Sequence, residues 1–83
     1  MRLVFTAEGW EDYAGWSDQR KIVQRLNRMI DEARLDPGSG IGKPERLSGD
    51  LSGFWSRRID QEHRLVHAVL NGDLVVVQAR YHY

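Results

Sequence analysis

Apolar positions along this chain recur first at helical spacing and then at the spacing of strands. Leu3, Val4 and Phe5 read as a short strand, and Thr6 follows as an N-cap for a helix expected from Ala7 to Trp16. Trp10, Tyr13 and Trp16 lie three apart along one face of that helix, with Glu8, Glu11 and Asp12 on its polar side. They read as a core stripe, with a docking groove for a partner as the alternative. After Ser17 or Asp18 as a second cap, Ile22, Val23, Leu26, Met29, Ile30 and Ala33 advance by 1, 3, 3, 1 and 3, which predicts a second amphipathic helix. Pro37 disfavours helix at the residue before it, so the helix must stop by Asp36, and a glycine-rich loop runs through Gly38, Gly40 and Gly42.

From Phe54 onward the period is two. Phe54 to Ile59, Arg64 to Leu70 and Leu74 to Tyr81 are rich in aromatic and β-branched residues and predict three strands of an antiparallel meander. Asp60 to His63 forms one turn, and Asn71-Gly72 marks the other as a hairpin. The expected architecture is α+β: a short N-terminal strand, a two-helix hairpin and a three-stranded antiparallel meander, with both helices packed on one sheet face and the other free for a ligand. With no internal repeat or linker, residues 1–83 read as a single domain.

The hairpin sets a parity problem. A two-residue loop, Asn71-Gly72, pairs Leu70 with Asp73, brings Arg64 opposite Ala79 and sends His82 to the other face. A three-residue loop through Asp73 pairs Leu70 with Leu74, brings Arg64 opposite Arg80 and puts His82 on their face. A β-bulge would rescue the first case. The expectation is that Arg64 and His82 converge.

Composition narrows the function. A chain of 83 residues buries only about 60 to 65% of its unfolded surface, and 41% hydrophobic with 29% charged residues describes a globular protein. No apolar run approaches the roughly 20 residues of a membrane span, and the N-terminus turns polar too soon for a signal peptide, so no membrane contact and a cytoplasmic location are expected. There are no cysteines, and the three histidines lack ligand spacing, so neither a metal nor another cofactor is expected. The formal net charge is zero, which argues against holding free nucleic acid by bulk electrostatics; any RNA contact must be local.

Against that neutral background, Arg57, Arg58, Arg64 and Arg80 all fall within expected strands. Each alone reads as surface decoration; four together on one face would hold a phosphodiester, to which guanidinium bonds bidentately. The ending Arg80-Tyr81-His82-Tyr83 adds an imidazole and two phenols, groups that transfer protons or stack on bases. Glu45 lies in Lys43-Pro44-Glu45-Arg46, a carboxylate flanked by cations, and from spacing alone reads as a turn residue in an ion pair.

These segments together resemble a known family. Lys43-Pro44-Glu45, Leu51-Ser52-Gly53-Phe54-Trp55-Ser56-Arg57-Arg58-Ile59, Glu62-His63-Arg64-Leu65-Val66 and Ala79-Arg80-Tyr81-His82-Tyr83 are similar to the YoeB toxins of the RelE/ParE superfamily, as are the early Trp10, Asp12, Tyr13 and Trp16. The resemblance implies a RelE-like fold and the toxin of a type II toxin-antitoxin system: a metal-independent endoribonuclease that cuts mRNA in the A site of the 70S ribosome. It also implies a YefM-type antitoxin as partner and allows a homodimer. It makes Glu45 the general base, Arg64 the transition-state stabiliser and His82 the general acid, with Tyr83 and Arg58 in support and Lys43 and Arg46 among the RNA contacts. Ser48 stands where the family usually has lysine, Arg46 where it often has proline and His67 where tyrosine is usual. Arg46, two residues before Ser48, would share its side of an extended segment and could replace the missing charge. His67 reads as a polar residue in or beside the core, and His63 as a turn residue. The alternatives are a ParE-like toxin that poisons gyrase without cutting RNA, and a catalytically weak antitoxin-binding co-repressor.

Overall fold

In the computed structural model, which describes residues 1–81, the elements run β1 (Leu3–Phe5), α1 (Ala7–Ala14), α2 (Arg20–Leu35), β2 (Glu45–Arg46), a single 3₁₀ turn (Gly49–Leu51), β3 (Phe54–Arg58), β4 (Arg64–Leu70) and β5 (Asp73–Gln78). The strands form one five-stranded sheet in the order β1-β5-β4-β3-β2. The class is the expected α+β, with two differences in the sheet. β1 runs parallel to β5, pairing Leu3 with Leu74 and Phe5 with Val76, and Glu45–Arg46 adds an edge strand beside β3. Neither pairing is local. A two-residue strand is too short to carry a period, so only its partners in β3, Ser56 for Glu45 and Trp55 for Arg46, define it.

Thr6 caps α1, its hydroxyl accepting from the Gly9 N–H at 3.0 Å. Gly9 is there because α1 lies directly on β5: a Cβ at this position would stand 2.2 Å from the Val76 carbonyl oxygen. The helix stops short of Trp16, and the three ring residues divide. Trp16 is buried and its indole N–H donates to the Ala79 carbonyl at 2.7 Å, Tyr13 is half-buried, and Trp10 is 55% exposed. The core-stripe reading therefore holds for Trp16 and fails for Trp10. In α2 the predicted stripe is the buried one: Leu26, Met29, Ile30 and Ala33 pack with Trp16, Ile59, Leu65, Leu74, Val76 and Ala79 into the core. Its cap is Gln19, without a side-chain bond, and neither Ser17 nor Asp18 fills that place. Among the described residues no helix is long and apolar enough to cross a membrane.

The long loop between α2 and β2 is held from beneath by Arg57, which is fully buried. Its Nη1 donates to the Ile41 carbonyl at 3.0 Å, its Nη2 to those of Asp36, Pro37 and Ser39 at 3.2, 3.1 and 2.5 Å, and its Nε to His67 Nε2 at 3.2 Å. Gly42 closes the same contact: it has a positive φ of 90°, and a Cβ there would lie 2.8 Å from Met29 Sδ and 3.0 Å from the Arg57 Cβ. The expected four-arginine face is corrected here. Arg57 and Arg58 are consecutive in one strand, so they leave the sheet on opposite sides, and Arg57 is spent on the loop.

The β4–β5 hairpin has the two-residue loop, Asn71 and Gly72, with φ of 52° and 79° as a type I′ turn requires, and Leu70 pairs with Asp73. A bulge then shifts the register between Val66 and His67: His67 pairs with Val76 but Val66 with Gln78, leaving Val77 as the extra residue. The bulge restores the parity that the short loop would have lost. Continued two residues on, this register sets Arg64 against Arg80, and the Arg64 N–H donates to the Tyr81 carbonyl at 3.1 Å.

Two outcomes follow from the Arg57–His67 pair. Burial first, and the Arg57 cation second, push the His67 imidazole down to about 4, while its unfolded value is near 6.5. The folded protein thus binds fewer protons than the unfolded chain between those values, so stability is complete above pH 6.5 and falls as pH drops toward 4, by roughly 3 kcal/mol. Urea unfolding across this range should show the loss, and His67→Gln, which keeps an acceptor for Arg57 without titrating, should flatten it. Arg57→Lys cannot serve the loop carbonyls and His67 at once and should lower unfolding stability by about 2 to 4 kcal/mol at neutral pH, read from denaturant midpoints.

Candidate functional site

The sheet face away from the helices carries a small polar group in a defined arrangement. Glu45 pairs with Ser56 across β2 and β3, Ser56 with Val66 across β3 and β4, and Arg58 with Arg64 one step along. Residues paired in this way share a face, so Glu45, Ser56, Arg58 and Arg64 stand together. Arg64 Nη1 donates to Glu45 Oε1 at 2.9 Å and lies 3.3 Å from the Ser56 hydroxyl, which is fully buried. The Arg64 side chain is 16% exposed and the Glu45 carboxylate 57%, so the anchored cation sits below a carboxylate open to solvent. Glu45 is thus in the ion pair its local sequence suggested, but as a strand residue on the face of the sheet.

The electrostatics favour an anion. Arg58 and Arg64 face one another directly, an arrangement of like charges that is destabilising by about 0.2 to 1 kcal/mol, and one carboxylate offsets only one of the two cations. A phosphate between the guanidiniums would turn that repulsion into attraction. Arg58 is exposed and held by its backbone, its N–H donating to the Gly42 carbonyl at 2.7 Å and its own carbonyl accepting from Arg25 Nη2 at 2.9 Å. Lys43 is exposed one step before Pro44, with a positive φ of 50° that turns the chain into β2.

Arg46 does not join them. It pairs with Trp55, the opposite parity from Glu45 and Ser56, and its guanidinium lies over the Trp55 ring at 5.1 Å. It does line a depression with Ser48, Phe54 and Trp55, so Arg46 and Ser48 are neighbours as expected. Alternation along β2 turns Arg46 away from the Glu45–Arg64 pair. Arg80 is also elsewhere, its guanidinium 5.0 Å from the Trp16 ring beside Gly15. The candidates His82 and Tyr83 lie outside the described residues.

Sequence reasoning missed three groups that shape this face. Ser56 supports Arg64; it lay within the segment that resembles the family, with no role assigned to it. Asp12 Oδ2 accepts from the Ala79 N–H at 3.0 Å, and Gln78 Nε2 donates to the carbonyls of Arg80 and Tyr81 at 2.8 and 3.2 Å. Both hold the C-terminal segment that passes Arg64; Asp12 stood among the residues of the family resemblance without an assigned role, and Gln78 carried no pattern.

Known proteins resemble this chain along its whole length. The toxin YoeB of Streptomyces coelicolor is 57% identical over 84 residues, covering all of both chains. Among solved structures, a YoeB/ParE toxin from Agrobacterium tumefaciens is 44% identical and superposes over all of both chains with a TM-score of 0.95. Toxin chains from a YoeB-YefM complex and from a YoeB dimer, both of Staphylococcus aureus, are each 34% identical with a TM-score of 0.89, covering all of this chain and 98% of theirs. A family model described as the YoeB-like toxin of bacterial type II toxin-antitoxin systems matches residues 5–83. With that match and these relatives, the chain belongs to the YoeB-like toxins of bacterial type II toxin-antitoxin systems.

Proposed function

We propose that this toxin is a metal-independent endoribonuclease that cuts mRNA in the ribosomal A site, with Glu45, Arg64 and His82 as its catalytic groups. The observation that carries the proposal is the Glu45–Arg64 contact at 2.9 Å beside Arg58, on a face with more cation than anion. Glu45 takes the proton of the ribose 2′-OH, and the freed oxygen attacks the adjacent phosphorus. The P–O5′ bond breaks, leaving a 2′,3′-cyclic phosphate, and His82 gives its proton to the departing 5′-oxygen. Arg64, with Arg58, stabilises the charge on the pentacoordinate phosphorus, and Tyr83 supports the leaving-group side. In the free protein Glu45 and Arg64 are paired, so an entering phosphate competes with the carboxylate for the guanidinium and releases Glu45 toward the 2′-OH. Use of that hydroxyl restricts the reaction to RNA.

Zero net charge gives this protein little hold on naked message, so the ribosome supplies the positioning, and Lys43 contributes a local cation. The regulating partner is a YefM-type antitoxin. The groove lined by Leu3, Phe5, Trp10, Tyr13 and Ile30 provides the apolar surface on which a segment of it would fold, and a second copy of the toxin is the other candidate occupant.

Translating ribosomes with a defined message test the reading. Purified protein should produce A-site cuts with 5′-hydroxyl ends; Glu45→Gln and His82→Gln should each lower the rate by about 10² to 10⁴, and Arg64→Met by about 10² to 10³. Because the Glu45–Arg64 pair is largely exposed on the carboxylate side, Glu45→Gln should cost less than about 1 kcal/mol of stability. Gyrase inhibition without RNA cleavage would replace this reading with the ParE-like one. Arg46→Ala, on the opposite parity, should cleave close to the wild-type rate.

A further inference from the structure

The backbone at Tyr81 is in the left-handed region, with φ of 59°, a conformation that costs a residue with a side chain on the order of 1 to 3 kcal/mol. Something must hold it. Three groups, two of them from consecutive residues where β4 begins, bond to this one residue. The Arg64 N–H and the Gln78 amide donate to its carbonyl at 3.1 and 3.2 Å, and its own N–H donates to His63 Nδ1 at 2.8 Å. The last of these is unusual, because a backbone donor here ends on an imidazole lone pair and not on a carbonyl.

His63 is built to offer that lone pair. Its backbone N–H is fixed by the Asp60 carboxylate at 2.7 Å, its ring stands edge-on to Trp16 at 4.8 Å, and the Tyr81 ring lies tilted against it at 4.9 Å. The residue is buried, and its Nε2 lies 3.5 Å from the Glu62 carboxylate. An acceptor at Nδ1 requires the neutral tautomer with its proton on Nε2, and Glu62 is on that side to favour it. His63 thus holds the backbone of Tyr81, and the next residue in the sequence is His82.

We infer that His63 is a positioning residue: its Nδ1 latches the Tyr81 N–H and fixes the backbone of the residue that precedes His82 beside Arg64. The inference rests on the proposed function for its catalytic consequence, since His82 acts only if the chain delivers it, and a misplacement of about 1 Å can cost 10²-fold in rate. His63 does not touch the phosphate itself. Its loss should therefore reduce turnover and leave RNA affinity alone.

Two substitutions separate the latch from simple packing. His63→Phe keeps a ring against Trp16 and removes the acceptor, whereas His63→Asn places an amide oxygen near the position of Nδ1. Melting temperatures establish that both fold. Hydrogen exchange at the Tyr81 amide, followed by NMR, should accelerate in His63→Phe and recover in His63→Asn. In the ribosomal assay His63→Phe should lower kcat by about 10- to 100-fold with KM little changed, and His63→Asn should regain most of it. Wild-type kcat in His63→Phe, a loss in KM alone, or an Asn variant no better than Phe would each overturn the latch. Should the variants not fold, the nitrogen-15 signal of His63 in the unaltered protein decides: an unprotonated, hydrogen-bonded Nδ1 supports the latch, and a protonated one overturns it. If the wild-type protein does not cut RNA while Tyr81 exchange still follows His63 as described, the functional reading has failed and the latch itself stands.

Discussion

The burial of Arg57 is the constraint on which the rest of this small protein depends. A guanidinium without water around it must find acceptors for all its N–H groups, and here they are four carbonyls of one loop and a histidine nitrogen. The loop in turn has no regular structure to satisfy its own carbonyls. Each therefore resolves the other's unpaired polar groups. The nearest anions assist from a distance: Glu32 and Asp36 oppose the burial that lowers the Arg57 pKa, and Glu32 caps the arrangement by accepting from the Ile41 N–H at 2.8 Å. Arg28 and that same N–H hold the Glu32 carboxyl below its usual range.

This packing has a functional reach because the loop ends at β2. Gly42 sits against Met29 and Arg57, Lys43 turns the chain and Pro44 stiffens it, so the carboxylate of Glu45 comes to Arg64 along a path set from the core. One sheet strand thus serves both faces. Its buried arginine anchors the approach of the proposed base, and the next residue, Arg58, supplies a cation on the open side.

Arg64 joins the two ends of the site. Its side chain meets Glu45, and its backbone N–H meets the tail at Tyr81, so the proposed base and the segment leading to the proposed acid are referred to one residue. That tail takes its course from side chains. Asp12, Trp16, His63 and Gln78 bond to the backbone of residues 79–81, where a regular ladder would leave the chain straight. A short terminal segment has little apolar area with which to order itself, and such bonds replace the missing ladder.

The amino-acid sequence by itself determined the α+β class, the buried stripe of α2, the Thr6 cap, the three long strands and the family, because periodicity, capping and dense local motifs are properties of neighbouring residues. It also marked Glu45, Arg58 and Arg64 as candidates. Tertiary structure alone decided which of them meet. The parallel pairing of β1 with β5, the two-residue β2 and the bulge at Val77 depend on partners far along the chain, and a single residue of register moves a side chain to the other face. For that reason four arginines alike in sequence took different work: Arg57 to the loop, Arg80 to Trp16, and Arg58 and Arg64 to the open face with Glu45.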